Sequence, residues 1–169
     1  MKQSKRIAEC GMTAALAVVI MIIGGILGIG LYASPMFAGL LLLPIGRKYG
    51  AKYHAALWLA VSLLSFLTVP EIEQNLVFLC FFGCYPLLYP RFMRIRRTWL
   101  RRACKFLYFN LTIIAVEALV IFVLVPEVTG AALLLVMLLL FNLIFIGFDR
   151  IIPYFELIMK RYLEKLKKK

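Results

Sequence analysis

The feature that most constrains this sequence is a short basic connector between two apolar runs. The connector covers residues 91–105 and holds seven Lys and Arg residues and no acidic residue. Apolar runs at 76–89 and 106–125 flank it. Such loops stay on the cytoplasmic side of a membrane, because moving many cationic side chains across a bilayer is unfavourable. The pattern predicts a polytopic membrane protein whose basic connector is cytoplasmic.

The composition supports a membrane protein and argues against a nucleic-acid-binding protein. The chain is 64% hydrophobic, whereas soluble domains are closer to half apolar. A net charge of +12 is compatible with nucleic-acid binding in general. Here, however, the basic residues lie in short clusters between apolar runs, where membrane topology and anionic lipid account for them. The apolar run near the N-terminus is too long for a signal-peptide core, and further runs follow it.

The apolar runs predict an all-α bundle of six transmembrane helices. They cover residues 7–31, 36–45, 54–69, 76–89, 106–125 and 131–148. The second is short, and we expect it to thin the bilayer, lie buried against its neighbours or re-enter the membrane. All 20 Lys and Arg residues fall at the N-terminus or after the second, fourth and sixth runs, whereas the other connectors carry Glu71, Glu73 and Glu127. This distribution predicts cytoplasmic N- and C-termini in a bacterial cytoplasmic membrane.

Two regions follow from this division of the chain. Residues 1–148 are expected to form the transmembrane domain, and residues 149–169 a basic cytoplasmic tail. Apolar residues recur at helical spacing in the tail, which predicts an amphipathic helix at the membrane surface. Its expected partner is anionic lipid, and the alternative is a cytoplasmic protein.

Glu117 is the one ionisable residue well inside a predicted span, about 12 Å from the outer end at helical rise. A charge near mid-membrane costs about 2.5–3.5 kcal/mol, so we expect Glu117 to face the bundle interior. Asn110 shares its helical face, and Asn142 is a third buried polar residue. These residues either line a pocket for a small polar ligand or form an interhelical hydrogen-bond clamp.

Catalytic motifs are absent from the sequence, and no cofactor or metal is predicted. The four cysteines form no CxxC pair and are interpreted as packing residues. His54 lies at a predicted cytoplasmic boundary and is interpreted as an interfacial residue. Because no nucleotide-binding motif is present, active transport would require a separate ATPase. The sequence therefore predicts that the chain is not an enzyme.

The first helix is rich in small residues, which allow another helix to approach closely in a membrane. They serve either packing within this bundle or docking of another subunit. The segment KRIAECGMTAALAVVIMIIGG, residues 5–25, resembles the first helix of the substrate-binding (S) components of energy-coupling factor transporters. That resemblance implies six helices, cytoplasmic termini and contact with a transmembrane coupling subunit through Gly11, Ala14, Ala15 and Ala17.

The same resemblance implies a function and a site. A vitamin-like, water-soluble nutrient would bind from outside near Tyr32, Asn75 and Glu117, with Asn142 as a further candidate, and a coupling subunit with two ATPases would drive uptake. The outer connectors lack the His and Asp cluster that a metal-ion substrate would need. The alternative is a non-transporting scaffold similar to the MreD-type proteins of bacterial cell-shape machinery, in which the buried polar groups are structural.

Overall fold

The computed structural model describes residues 2–27, 32–123 and 131–167, which are predominantly helical. No strand occurs in them, so the predicted all-α class is confirmed. The elements are α1 (Lys2–Leu27), α2 (Ala33–Tyr49), α3 (Ala51–Thr68), α4 (Ile72–Val77), a π-helical segment (Phe78–Phe82), α5 (Tyr85–Met93), α6 (Thr98–Val123) and α7 (Ala131–Lys167). The predicted boundary at residues 148 and 149 falls inside α7, which continues through Pro153.

Five segments among the described residues are long and apolar enough to cross a membrane: Gln3–Leu27, Ala51–Thr68, Ile72–Met93, Thr98–Val120 and Leu138–Phe155. Large apolar side chains also cover the outside of the bundle, and Ile26, Leu67 and Leu107 are each at least 70% exposed. A solvent-facing surface of this kind is rare in soluble proteins. The apolar helices therefore indicate a membrane protein with several spans.

The second predicted span differs from the other five. It lies within α2, which has 17 residues, ends in Arg47 and Lys48 and is not one of the five candidate membrane-spanning segments. Its middle is buried instead, with Ala38 and Leu42 fully inaccessible. An apolar run of about ten residues is short for a span and is common in buried helices. The structure thus shows five candidate spans rather than the six expected.

Helix α2 packs closely against the π segment because Gly39 has no side chain. A Cβ atom at Gly39 would lie 2.4 Å from the backbone oxygen of Phe82. Beyond this contact, the core is an aromatic cluster centred on Phe81, whose ring centroid lies 4.8 Å from that of Phe109. Phe109 stacks on Phe145 of α7 at 4.6 Å. These contacts join α2, the π segment, α6 and α7, and van der Waals packing of this kind drives helix association in membranes.

The π segment interrupts a predicted span, and side chains from α3 and α6 satisfy its backbone. Trp58 Nε1 donates to Leu79 O at 3.1 Å, and Tyr108 OH donates to Cys80 O at 3.1 Å. His54 Nε2 donates to Gly83 O at 3.1 Å. Carbonyl groups in hydrocarbon need such partners, because no water is present to replace them.

The structure corrects the interpretation of His54 as an interfacial residue. Its side chain is 2% exposed and contributes to the packing around the interrupted span. A Cβ atom at Gly46 would meet His54 Nδ1 at 2.7 Å, so α2 and α3 are also in close contact here. The hydrogen bond to a backbone carbonyl supplies the polar partner that an imidazole needs inside an apolar bundle.

Two ionic contacts mark one end of the bundle, called here the basic end. Glu9 of α1 accepts hydrogen bonds from Lys48 Nζ at 2.5 Å and from Tyr49 OH at 2.7 Å. Lys105 Nζ of α6 donates to Asp149 Oδ1 of α7 at 2.7 Å. The opposite end, called here the acidic end, carries the α3–α4 connection and the beginning of α2.

Candidate ligand site at the acidic end

The acidic end brings together residues from three elements that are distant in the sequence. Helix α3 ends at Thr68, Val69 is extended, and the chain turns at Pro70 before α4 begins at Ile72. This turn places Glu73 in the first turn of α4, where the helix dipole favours a carboxylate. Helix α4 packs against α6, the helix that contains Glu117.

Tyr32, Glu73 and Glu117 form a connected cluster, called here the acidic triad. The Tyr32 hydroxyl donates a hydrogen bond to Glu73 Oε1. Glu117 of α6 lies near enough to both Tyr32 and Glu73 to act on them electrostatically. The Tyr32 ring packs edge-on against Phe141 of α7, with centroids 4.3 Å apart. The triad therefore links α2, α4 and α6, and its tyrosine also contacts α7.

The charge of the triad limits what it can bind. Two ionised carboxylates close together repel each other, so a proton or a cation at the pair would stabilise it. The sequence contains no Lys or Arg at 53–90 or 106–149, which includes both glutamates. A ligand bound at these carboxyl groups would therefore present hydrogen-bond donors or positive charge.

Two buried amides lie next to the triad on α4. Gln74 is fully buried, and its Nε2 donates to Met21 O and to Ser34 Oγ, both at 2.8 Å. Asn75 is 1% exposed, and its Nδ2 donates to Val69 O at 3.2 Å. Within the described ranges, Gln74 Oε1 and Asn75 Oδ1 have no hydrogen-bond donor. An unsatisfied buried acceptor is costly, so these oxygens would favour a bound water or ligand donor.

The predicted ligand residues separate into two groups. Tyr32 and Glu117 come together through Glu73, and Asn75 lies on the same short helix as Glu73. Asn142 instead forms a reciprocal amide pair with Asn110, with two hydrogen bonds of 3.0 Å between α6 and α7. This geometry matches the interhelical clamp that the sequence left open as an alternative for the two asparagines.

Glu73 is the residue that sequence reasoning missed as a site member. The sequence placed it in an outer connector, with nothing to distinguish it from Glu71. In the structure Glu71 is exposed, whereas Glu73 accepts the hydrogen bond from Tyr32 and lies near Glu117. Pro70 was the signal in the sequence that could have identified Glu73. A helix that begins just after this proline decides whether Glu71 or Glu73 faces α6. Glu127 lies outside the described residues.

The four predicted docking residues of α1 point in two directions. Ala17 is fully buried and Ala14 is 9% exposed, and both pack into the core of the bundle. Gly11 and Ala15 are exposed, and a Cβ atom at Gly11 would have no neighbour within 4 Å. Residues four apart share a helix face, so Gly11 and Ala15 form an outward surface while Ala14 and Ala17 hold α1 in place.

Comparisons of the chain with protein-family models, curated protein sequences and solved structures gave no match. The evidence for the function of this protein is therefore the geometry of the acidic triad and the distribution of charge along the chain.

Proposed function

We propose that this protein is a membrane-embedded substrate-capture subunit that binds a small water-soluble molecule at its acidic end. In this proposal the chain crosses the membrane six times, with α2 as a short crossing, and both termini are cytoplasmic. The acidic end then faces outward. The observation that carries the proposal is the acidic triad, which three separate elements assemble inside an apolar bundle.

Ionisable residues within membrane spans support a binding function. Placing one carboxylate near the centre of a bilayer costs about 2.5–3.5 kcal/mol, and such residues commonly mark substrate or ion pathways. Here Glu73 of α4 and Glu117 of α6 approach each other, whereas the Asn110–Asn142 pair joins α6 to α7 through uncharged amides. A second, acidic contact adds electrostatic cost that packing alone does not require.

The proposal assigns energy coupling to a separate module. The chain has no nucleotide-binding motif, so an ATPase pair and a transmembrane coupling subunit would supply the driving force. Gly11 and Ala15 are exposed on α1 and are small, so another helix could approach α1 closely at this surface. This is the part of the predicted docking set that the fold leaves accessible.

The binding proposal is tested by mass spectrometry of the purified protein under conditions that preserve bound small molecules. We expect the wild-type protein to retain a ligand, and Glu73→Gln and Glu117→Gln to lose it. Glu71→Gln is the matched control, because Glu71 is exposed in the same connection. Equal retention in all variants would contradict the assignment of the triad as the site.

The docking proposal is tested separately by affinity purification from native membranes in mild detergent. We expect a coupling subunit and two ATPases to copurify with the wild-type protein but not with a Gly11→Leu/Ala15→Leu variant. Ala56→Leu, an exposed alanine on α3, is the control. Partners that persist in the double variant would place the docking surface elsewhere.

The alternative function is a non-transporting scaffold of cell-envelope or cell-shape machinery. The Asn110–Asn142 pair favours it, because these two partly buried amides bond to each other and join α6 to α7. A scaffold would copurify with cell-wall machinery and would keep its activity in Glu117→Gln. Copurification of ATPases would exclude it.

A further inference from the structure

A second candidate site lies on the side of the bundle, and one end of it reaches Val116, the neighbour of Glu117 in the sequence. It is a groove of about 590 Å³ between α3, the π segment and α6. Its walls include Trp58, Leu79, Cys80, Tyr108 and Ala115. Candidate membrane-spanning segments form all of its walls, so the groove opens toward lipid rather than water. Its volume is within the range of small-molecule sites, about 300–1,000 Å³.

The polar atoms in the groove walls are already hydrogen-bonded within the protein. Trp58 Nε1 and Tyr108 OH bond to carbonyl groups of the π segment. Thr112 Oγ1 donates to Tyr108 O at 2.8 Å. The remaining surface is mostly aliphatic, so the groove suits a hydrocarbon chain better than a polar ligand. Along α6 it extends from Tyr108 to Leu119, which is about 16 Å at helical rise and close to one leaflet of a bilayer.

One end of the groove, formed by Cys84 and Tyr108, lies toward the basic connector. Arg91 follows Cys84 by seven residues, and Arg101 precedes Tyr108 by seven. Arg101 and Tyr108 both lie in α6, so this spacing places Arg101 on the helix face of Tyr108, two turns closer to the basic end. Arg91 lies near the end of α5, which begins directly after Cys84. Arg91 is also near enough to act electrostatically on the Cys84 thiol. Positive charge thus flanks the end of an apolar groove, which is the arrangement that binds anionic lipid headgroups between membrane helices.

We propose that this groove is a binding site for one anionic phospholipid from the leaflet at the basic end. One acyl chain occupies the groove along α6, and Arg91 and Arg101 bind the phosphate. Lys105 is not part of this headgroup site, because it is 5% exposed and paired with Asp149. The site is independent of the acidic triad and of the proposed transport function.

The protein offers a direct optical test, because Trp58 lines the groove and Trp99 is the only other tryptophan. Trp99 is 79% exposed, so Trp99→Phe leaves Trp58 as a single reporter. This variant is placed in phosphatidylcholine vesicles that contain a small fraction of lipid with brominated chains, which quench tryptophan on contact. We expect brominated phosphatidylglycerol to quench Trp58 more strongly than brominated phosphatidylcholine at the same fraction.

Two pairs of substitutions in the Trp99→Phe protein test the chain and the headgroup separately. Ala115→Phe fills the groove and should lose most of the quenching, whereas Ala118→Phe, exposed on α6 but outside the groove, should keep it. Arg91→Gln/Arg101→Gln should lose the preference for phosphatidylglycerol. Arg94→Gln/Arg96→Gln, exposed in the same connector, should retain that preference.

Three results would overturn the proposal. The first is equal quenching of Trp58 by the two brominated lipids in the Trp99→Phe protein. The second is unchanged quenching in Ala115→Phe, since a filled groove cannot hold a chain. The third is a retained preference in Arg91→Gln/Arg101→Gln. Because these arginine substitutions leave the groove itself unaltered, a lost preference with retained overall quenching identifies the headgroup contact without interference from misfolding.

Discussion

Substituting alanine for Gly39 is the sharpest test of the packing between α2 and the π segment. The new Cβ atom would lie 2.4 Å from Phe82 O, whereas real Cβ contacts are essentially never shorter than 3.0 Å. The backbone of one element must therefore move by at least 0.6 Å. The obstacle is a main-chain carbonyl in the core, which cannot rotate away as a side chain could. Overpacking of this kind costs about 1–3 kcal/mol, and more where relaxation is poor.

Gly147→Ala is the matched control for this prediction. Gly147 also lies inside a helix, but a Cβ atom there would meet nothing within 4 Å. Removing a helical glycine should then stabilise the protein by about 0.5–1 kcal/mol. Gly39 also lies inside a helix, so this gain is common to both variants. We therefore expect the free energy of unfolding of Gly39→Ala to be lower than that of Gly147→Ala by about 1–3 kcal/mol.

The measurement is unfolding of each purified variant by titration with a denaturing detergent in mixed micelles. Helix loss by circular dichroism and burial of Trp58 by fluorescence should report the same transition. If Gly39→Ala and Gly147→Ala are equally stable, the close approach of α2 to Phe82 is not a feature of the folded protein. Helix α2 would then not be packed as a buried central helix.

Three further substitutions probe the polar contacts between helices. Asp149→Ala should lower the free energy of unfolding by about 3 kcal/mol, because it leaves Lys105, 5% exposed, as a buried charge without its carboxylate. Tyr108→Phe should cost about 1 kcal/mol, since a π-segment carbonyl in the apolar bundle loses its donor. Asn142→Ala should cost about 0.6–1.7 kcal/mol, and adding Asn110→Ala should cost little more because the two amides pair with each other.

The first two of these predictions each have a control that changes the same chemistry at a more exposed position. Glu9→Gln removes the carboxylate of a partly exposed pair with Lys48 and should change stability by less than about 1 kcal/mol. Tyr154→Phe removes the hydroxyl of a side chain that is 70% exposed and should be neutral. An effect of Glu9→Gln as large as that of Asp149→Ala would contradict the distinction between buried and surface ion pairs. Additive losses at Asn110 and Asn142 would contradict their pairing.

Much of the architecture could be predicted from the sequence because membrane insertion is governed by simple local properties. Every backbone polar group inside a bilayer needs a partner in the protein, so long apolar runs form helices. Five of the six predicted spans correspond to candidate membrane-spanning helices. The run at 36–45 was harder to interpret because it is short for a span, and only its neighbours show that it packs in the middle of the bundle, where a short crossing helix can also lie.

The candidate site was partly predictable for the same reason. A carboxylate inside a span is unusual enough to be noticed without a structure, so Glu117 was a candidate from its position alone. Its partners were not predictable. Tyr32 and Glu73 lie near it because of where α2 and α4 begin, and the choice between Glu71 and Glu73 depends on the start of α4. The two asparagines were equally consistent with a ligand pocket until their mutual hydrogen bonds were seen.

By itself, the sequence determined that the chain is helical, apolar and asymmetric in charge, because hydropathy and Lys/Arg placement act locally and need no knowledge of contacts. Only the tertiary structure decided which side of α1 is buried and where the fourth predicted span becomes a π segment. It also decided that Trp58 and Tyr108 satisfy carbonyls of that segment and that His54 satisfies the Gly83 carbonyl just after it. Those outcomes depend on which helices are neighbours and on clearances of a few tenths of an ångström. Local composition does not determine such distances. The same small residues and hydrogen-bonding side chains are compatible with many helix packings, and only the packing of the whole bundle selects one of them.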